Sequence, residues 1–125
     1  MASKKILVVD DEPDVVKWLT VLFENNGFEV QSAMDGAAGY TKAEADPPDL
    51  ITLDISMNGE SGVKMYKKLL ENAKTASIPV IMLTGASPQL DNFLSRMRHS
   101  KKPAAFMEKP VTDTELLAKV AELIG

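Results

Sequence analysis

Four short apolar runs in this chain each end on, or just before, a group that can do chemistry. Ile6 to Val9 is followed by Asp10 and Asp11, Leu50 to Leu53 by Asp54, Val80 to Leu83 by Thr84, and Ala104 to Met107, after one further residue, by Lys109. Runs this short, rich in branched side chains and without a polar face, suit strands covered on both sides, as the strands of a parallel sheet are. Parallel strands point the same way, so all four groups would leave one edge of one sheet. That edge is where open α/β sheets place their ligand sites.

The segments between the runs carry helix signals. Pro13 suits a first helical turn, Glu12 and Asp14 lie near its positive end, Val15, Leu19, Leu22 and Phe23 recur at helical spacing, and Asn26-Gly27 supplies a stop. Phe28 to Ala33 reads as a further strand. Asp35-Gly36 opens a weaker helix through Tyr40, Ala43 and Ala45 that Pro47-Pro48 must end. A glycine-bearing loop, Ser56 to Gly62, leads into a helix with Val63, Tyr66, Leu69 and Leu70 on one face, and Ser87-Pro88 starts another with Leu90, Phe93, Leu94 and Met97 as its stripe. Thr112 and Glu115 form a capping box ahead of Leu116, Leu117, Val120, Leu123 and Ile124. Strand and helix therefore alternate five times, which predicts one α/β domain over residues 1–125, a parallel sheet with helices on both faces.

Composition narrows the chemistry. A chain of 125 residues, 45% apolar and 26% charged, supports one well-buried domain. It has no cysteine and one histidine, which excludes disulfides, thiol nucleophiles and Cys- or His-rich metal sites. A net charge of −4 argues against nucleic-acid binding by the domain, and no apolar run reaches membrane-spanning length, so a cytoplasmic location is expected. Adjacent carboxylates at Asp10-Asp11 repel one another and are stabilised by a hard cation, for which magnesium is the expected ion. Asp54, on the neighbouring strand, could complete that shell and also act as a nucleophile toward a phosphoryl group. An ammonium at Lys109 and a hydroxyl at Thr84 are suited to neutralising the phosphoryl oxygens. Each group taken alone also suits a helix cap or a turn. Their co-occurrence at four strand ends favours a site.

These residues resemble the receiver domains of bacterial two-component response regulators. The resemblance rests on V-V-D-D-E-P at Val8 to Pro13, D-G at Asp35-Gly36, P-D-L-I-x-L-D-x-x-M at Pro48 to Met57, P-V-I-M-L-T-G at Pro79 to Gly85 and F-M-E-K-P at Phe106 to Pro110. It implies a flavodoxin-like, doubly wound sheet of five parallel strands in the order 2-1-3-4-5 with five helices. It also implies that Asp54 accepts a phosphoryl group from a phosphohistidine of a sensor histidine kinase or histidine phosphotransfer protein. Asp10, Asp11, Asp54 and the backbone carbonyl of Ser56 would bind Mg2+, Lys109 and Thr84 would contact the phosphoryl oxygens, and Phe106 would be the switch aromatic. The signalling surface would be the fourth helix, fifth strand and fifth helix, read by a downstream protein or a fused output domain. Such a domain is a switch that catalyses only its own phosphorylation and dephosphorylation.

Two enzyme or carrier alternatives fit less well. A phosphatase of haloacid-dehalogenase type would need a second aspartate two residues after the nucleophile, where Ser56 stands, and a flavin carrier would not place two aspartates in its phosphate loop. A receiver-shaped interaction module that takes no phosphate is disfavoured by the presence of Asp10, Asp11, Asp54, Thr84 and Lys109 together. Three departures from the family pattern stand out: Met57-Asn58 where Met-Pro is usual, Pro103-Ala104 where a Gly-Ala pair is common, and a somewhat long interval between Thr84 and Lys109. Arg96, Arg98, His99, Lys101 and Lys102 read as a solvated helix end. Trp18 reads as a packing residue.

Overall fold

The computed structural model describes residues 3–55, 61–85 and 103–125. Its five strands are β1 (Lys5–Val9), β2 (Glu29–Ala33), β3 (Leu50–Asp54), β4 (Val80–Thr84) and β5 (Ala105–Glu108). Four helices lie among the described residues: α1 (Pro13–Asn25), α2 (Gly36–Ala45), α3 (Ser61–Glu71) and α4 (Asp113–Ile124). The helix expected from Ser87 falls outside them, as do Ser56 and Asn58. All neighbouring strands pair in parallel in the order β2-β1-β3-β4-β5. The expected doubly wound, flavodoxin-like topology is therefore the observed one.

Side chains alternate along each strand, and the alternation builds two cores. Ile6, Val8, Leu50, Ile81 and Leu83 face Leu19, Leu22 and Phe23 of α1 and Leu116 and Val120 of α4. Leu7, Val9, Ile51, Leu53, Val80 and Met82 face Ala43 of α2 and Val63, Met65, Tyr66 and Leu69 of α3. Every residue of β3 and β4 is buried, which accounts for their unbroken apolar runs. Helix α1 leaves this core through a Schellman motif: Phe28 N–H donates to the Phe23 carbonyl and Gly27 N–H to that of Glu24, both at 3.1 Å. Gly27 takes the required left-handed backbone, φ +89°. The Phe23 and Phe28 rings meet edge to face across the turn, 6.1 Å between centroids, so Phe28 closes the helix and the strand begins at Glu29.

Thr112 caps α4 as expected, with Glu115 N–H donating to Thr112 Oγ1 at 3.1 Å, and the threonine hydroxyl in turn donates to Glu115 Oε1 at 3.0 Å. Trp18 packs against the α1/α4 core and also donates its indole N–H to Asp113 Oδ1 at 2.8 Å, tying α1 to α4. Thr52, 1% exposed in the middle of β3, has a hydroxyl without a hydrogen-bond partner among the described residues. Valine has the same shape without that polar atom. Thr52→Val is expected to raise stability by about 1 kcal/mol, measured as a higher urea midpoint; a lower midpoint would mean the hydroxyl is satisfied in solution.

Candidate functional site

The strand ends place the site. Asp10 continues the alternation of Ile6 and Val8, Asp54 that of Leu50 and Thr52, and Lys109 that of Ala105 and Met107, so all three fall on the α1/α4 side of the carboxyl edge. The structure brings them together there. Lys109 Nζ lies 3.1 Å from Asp54 Oδ2 and 3.3 Å from Asp10 Oδ2, and both carboxylates are 1% exposed. The backbone N–H of Glu12 donates to Asp10 Oδ1 at 2.9 Å, which fixes the carboxylate at the entry to α1. Lys109 is anchored through its own backbone N–H, which donates to the Thr84 carbonyl at 2.7 Å, and its peptide bond to Pro110 is cis.

One carboxylate oxygen from each of Asp10, Asp11, Glu12 and Asp54 lies within 4.8 Å of the others. Glu12, which by sequence alone is a charge at the helix N-terminus, is the member not expected there. The signal for it was the unbroken acidic triplet Asp10-Asp11-Glu12, and its side chain also approaches Lys109, at 3.9 Å. Oxygen donors only, in a cluster of four carboxylates with one ammonium beside three of them, fit a hard divalent cation. The Ser56 carbonyl, expected as a further ligand, lies outside the described residues.

Electrostatics follow from burial. Asp10 is held above its ordinary pKa of 3.8, first by burial and then by the charge of Asp54, against the lowering effect of the Glu12 N–H and of Lys109. Burial alone would depress Lys109, but the hydrogen bond and charge of Asp54, followed by those of Asp10, raise it above 10.5. The signs give a pH profile for the cation-free protein. A carboxyl whose folded pKa is raised binds its proton more tightly when folded, so stability falls as pH rises from 3.8 through the raised Asp10 value. The Lys109 contribution is intact below 10.5 and is lost as pH climbs through its raised value. Urea midpoints measured in chelator across the pH range are expected to show both declines, and Asp10→Asn should remove the acidic one.

Thr84 and Phe106 occupy the other side. Thr84 is 2% exposed and continues the alternation of Val80 and Met82. Phe106 pairs in register with Met82 and packs against the α2/α3 core. The two residues thus share a sheet face, and Thr84, like Asp54, stands at the carboxyl end of its strand, on the strand next to β3. Helix α3 closes on β3 through Gly62, where an added Cβ would come within 3.0 Å of the Asp54 carbonyl oxygen and 3.1 Å of the Ile55 Cα. Since both contacts are backbone, Gly62→Ala is expected to displace α3 or the end of β3, costing about 1–3 kcal/mol in urea unfolding.

Comparison with known proteins agrees with this geometry. The family model described as "Response regulator receiver domain" matches residues 6–121. The chain belongs to the response regulator receiver family. This receiver is 31% identical over 121 residues to protein PilH of Pseudomonas aeruginosa, covering 97% of this chain and 98% of that one. It is 34% identical to the alkaline phosphatase synthesis transcriptional regulatory protein PhoP of Bacillus subtilis, over 98% of this chain but only 49% of that protein. Among solved structures, the receiver domain of a signal transduction histidine kinase from Syntrophus aciditrophicus superposes with a TM-score of 0.86 at 26% identity, covering 98% and 90% of the two chains. Receiver domains are signalling switches of two-component systems. Among the described residues of this one, no helix is long and apolar enough to cross a membrane.

Proposed function

We propose that residues 1–125 act as a single receiver that accepts a phosphoryl group on Asp54 from the phosphohistidine of a sensor kinase or phosphotransfer protein in the cytoplasm. One observation carries the reading: a buried Asp54 carboxylate held by Lys109 beside a second buried carboxylate, Asp10, in an all-oxygen cluster. An Asp54 oxygen forms the new bond to phosphorus as the bond from phosphorus to the histidine nitrogen breaks, and the histidine keeps that electron pair and takes up a proton. Asp10, Asp11 and Asp54 would hold Mg2+, with the Ser56 carbonyl as a further ligand. When bound, the ion neutralises charge on the transferring phosphoryl oxygens.

Lys109 is already aimed at Asp54, so it turns to a phosphoryl oxygen with little reorganisation. Thr84 hydrogen-bonds another, and the space it leaves lets the Phe106 ring move inward on the same sheet face. A displaced Phe106 repacks β5 and the neighbouring helices, shifting the population of surfaces that a partner can read. That partner is a downstream protein or a fused output domain; the chain spans 98% of PilH and about half of PhoP. With beryllium fluoride and Mg2+ as phosphoryl mimic, the backbone NMR signals of Thr84 and Phe106 are expected to shift in the wild type and stay in place in Asp54→Asn. Signals unmoved in the wild type would contradict the switch.

A further inference from the structure

We propose that Glu12 is a fourth carboxylate ligand of the cation site and that it sets ionic selectivity, opening the site to calcium-sized ions as well as magnesium. The proposal rests on the reading of Asp10, Asp11 and Asp54 as cation ligands. Glu12 differs from the two buried carboxylates in one physical respect: its backbone is held, while its side chain is 64% exposed. The holding contact is to a ligand itself, since Glu12 N–H donates to Asp10 Oδ1 at 2.9 Å. Its ion pair is a distant one, 3.9 Å to a Lys109 ammonium that sits closer to Asp54 and Asp10. Turning from that ammonium toward a cation therefore gives up little.

Ligand number and flexibility point to the larger ion. Ligands on opposite sides of Mg2+ stand about 4.2 Å apart and around Ca2+ about 4.6–5.2 Å, from their usual metal–oxygen distances. The four carboxylate oxygens already gather within 4.8 Å, so a calcium-sized ion can be closed upon with all four engaged. Magnesium takes few carboxylates and keeps several waters, whereas calcium takes six to eight oxygens in a flexible shell, about the setting an exposed glutamate provides. Removing Glu12 should then affect the two ions unequally.

Isothermal titration of the full chain with MgCl2 and with CaCl2, for the wild type, Glu12→Gln and Asp11→Asn, tests this. In Glu12→Gln the affinity for Ca2+ is expected to fall about tenfold and that for Mg2+ by no more than about twofold. Asp11→Asn is expected to weaken both. Equal losses for the two ions in Glu12→Gln would reduce Glu12 to a distant charge and overturn the proposal, as would unchanged binding of both. If Asp11→Asn also bound both ions like the wild type, or if the wild type bound neither, the cation-site reading itself would fail. Weakened binding in Asp11→Asn with unchanged binding in Glu12→Gln would refute the Glu12 role alone.

Discussion

Lys109→Met is expected to unfold at lower urea than the wild type in chelator, with a loss of about 3 kcal/mol, the low end for removing one partner of a buried ion pair. The ammonium is the near cation for two carboxylates that are each 1% exposed, at 3.1 and 3.3 Å. Methionine fills the stem but leaves Asp10 and Asp54 facing one another with no cation between them. The low end applies because the lysine side chain is 24% exposed, so water reaches part of the pair. Added Mg2+ should then stabilise the variant more than the wild type, since it supplies the missing charge. A variant as stable as the wild type in chelator would show that the lysine does not compensate these carboxylates.

Asp10→Asn should move stability and function in opposite directions. Burial and the Asp54 charge disfavour the ionised Asp10, and asparagine keeps an oxygen to accept the Glu12 N–H while removing that charge. The cation-free variant is expected to be more stable by about 1 kcal/mol, seen as a higher urea midpoint at neutral pH. Phosphoryl uptake from acetyl phosphate should fall by at least about tenfold, as loss of a metal-site group does. A variant that lost stability and kept full uptake would place Asp10 among structural residues only.

The sheet was legible because each buried strand needed an unbroken apolar run, and such runs also fix where a strand stops. Asp10, Asp54, Thr84 and Lys109 could thus be placed on one edge from spacing alone. Their division between faces follows from counting by twos along each strand: Asp10, Asp54 and Lys109 on one side, Thr84 and Phe106 on the other. Local chemistry was equally readable at Thr112 and Gly27, where the cap and the turn each need a particular residue. Contacts set by tertiary packing were not. Nothing near Trp18 announces its bond to Asp113, and Glu12 reads as a helix-end charge until Lys109 is seen beside it. Thr52 passes for one more branched strand residue until its orphaned hydroxyl is found.

The most direct test is the intact mass of the chain after incubation with Mg2+ and acetyl phosphate. The wild type should gain one phosphoryl group and Asp54→Asn none. No gain in the wild type, or a gain that persists in Asp54→Asn, would contradict phosphoryl acceptance at Asp54.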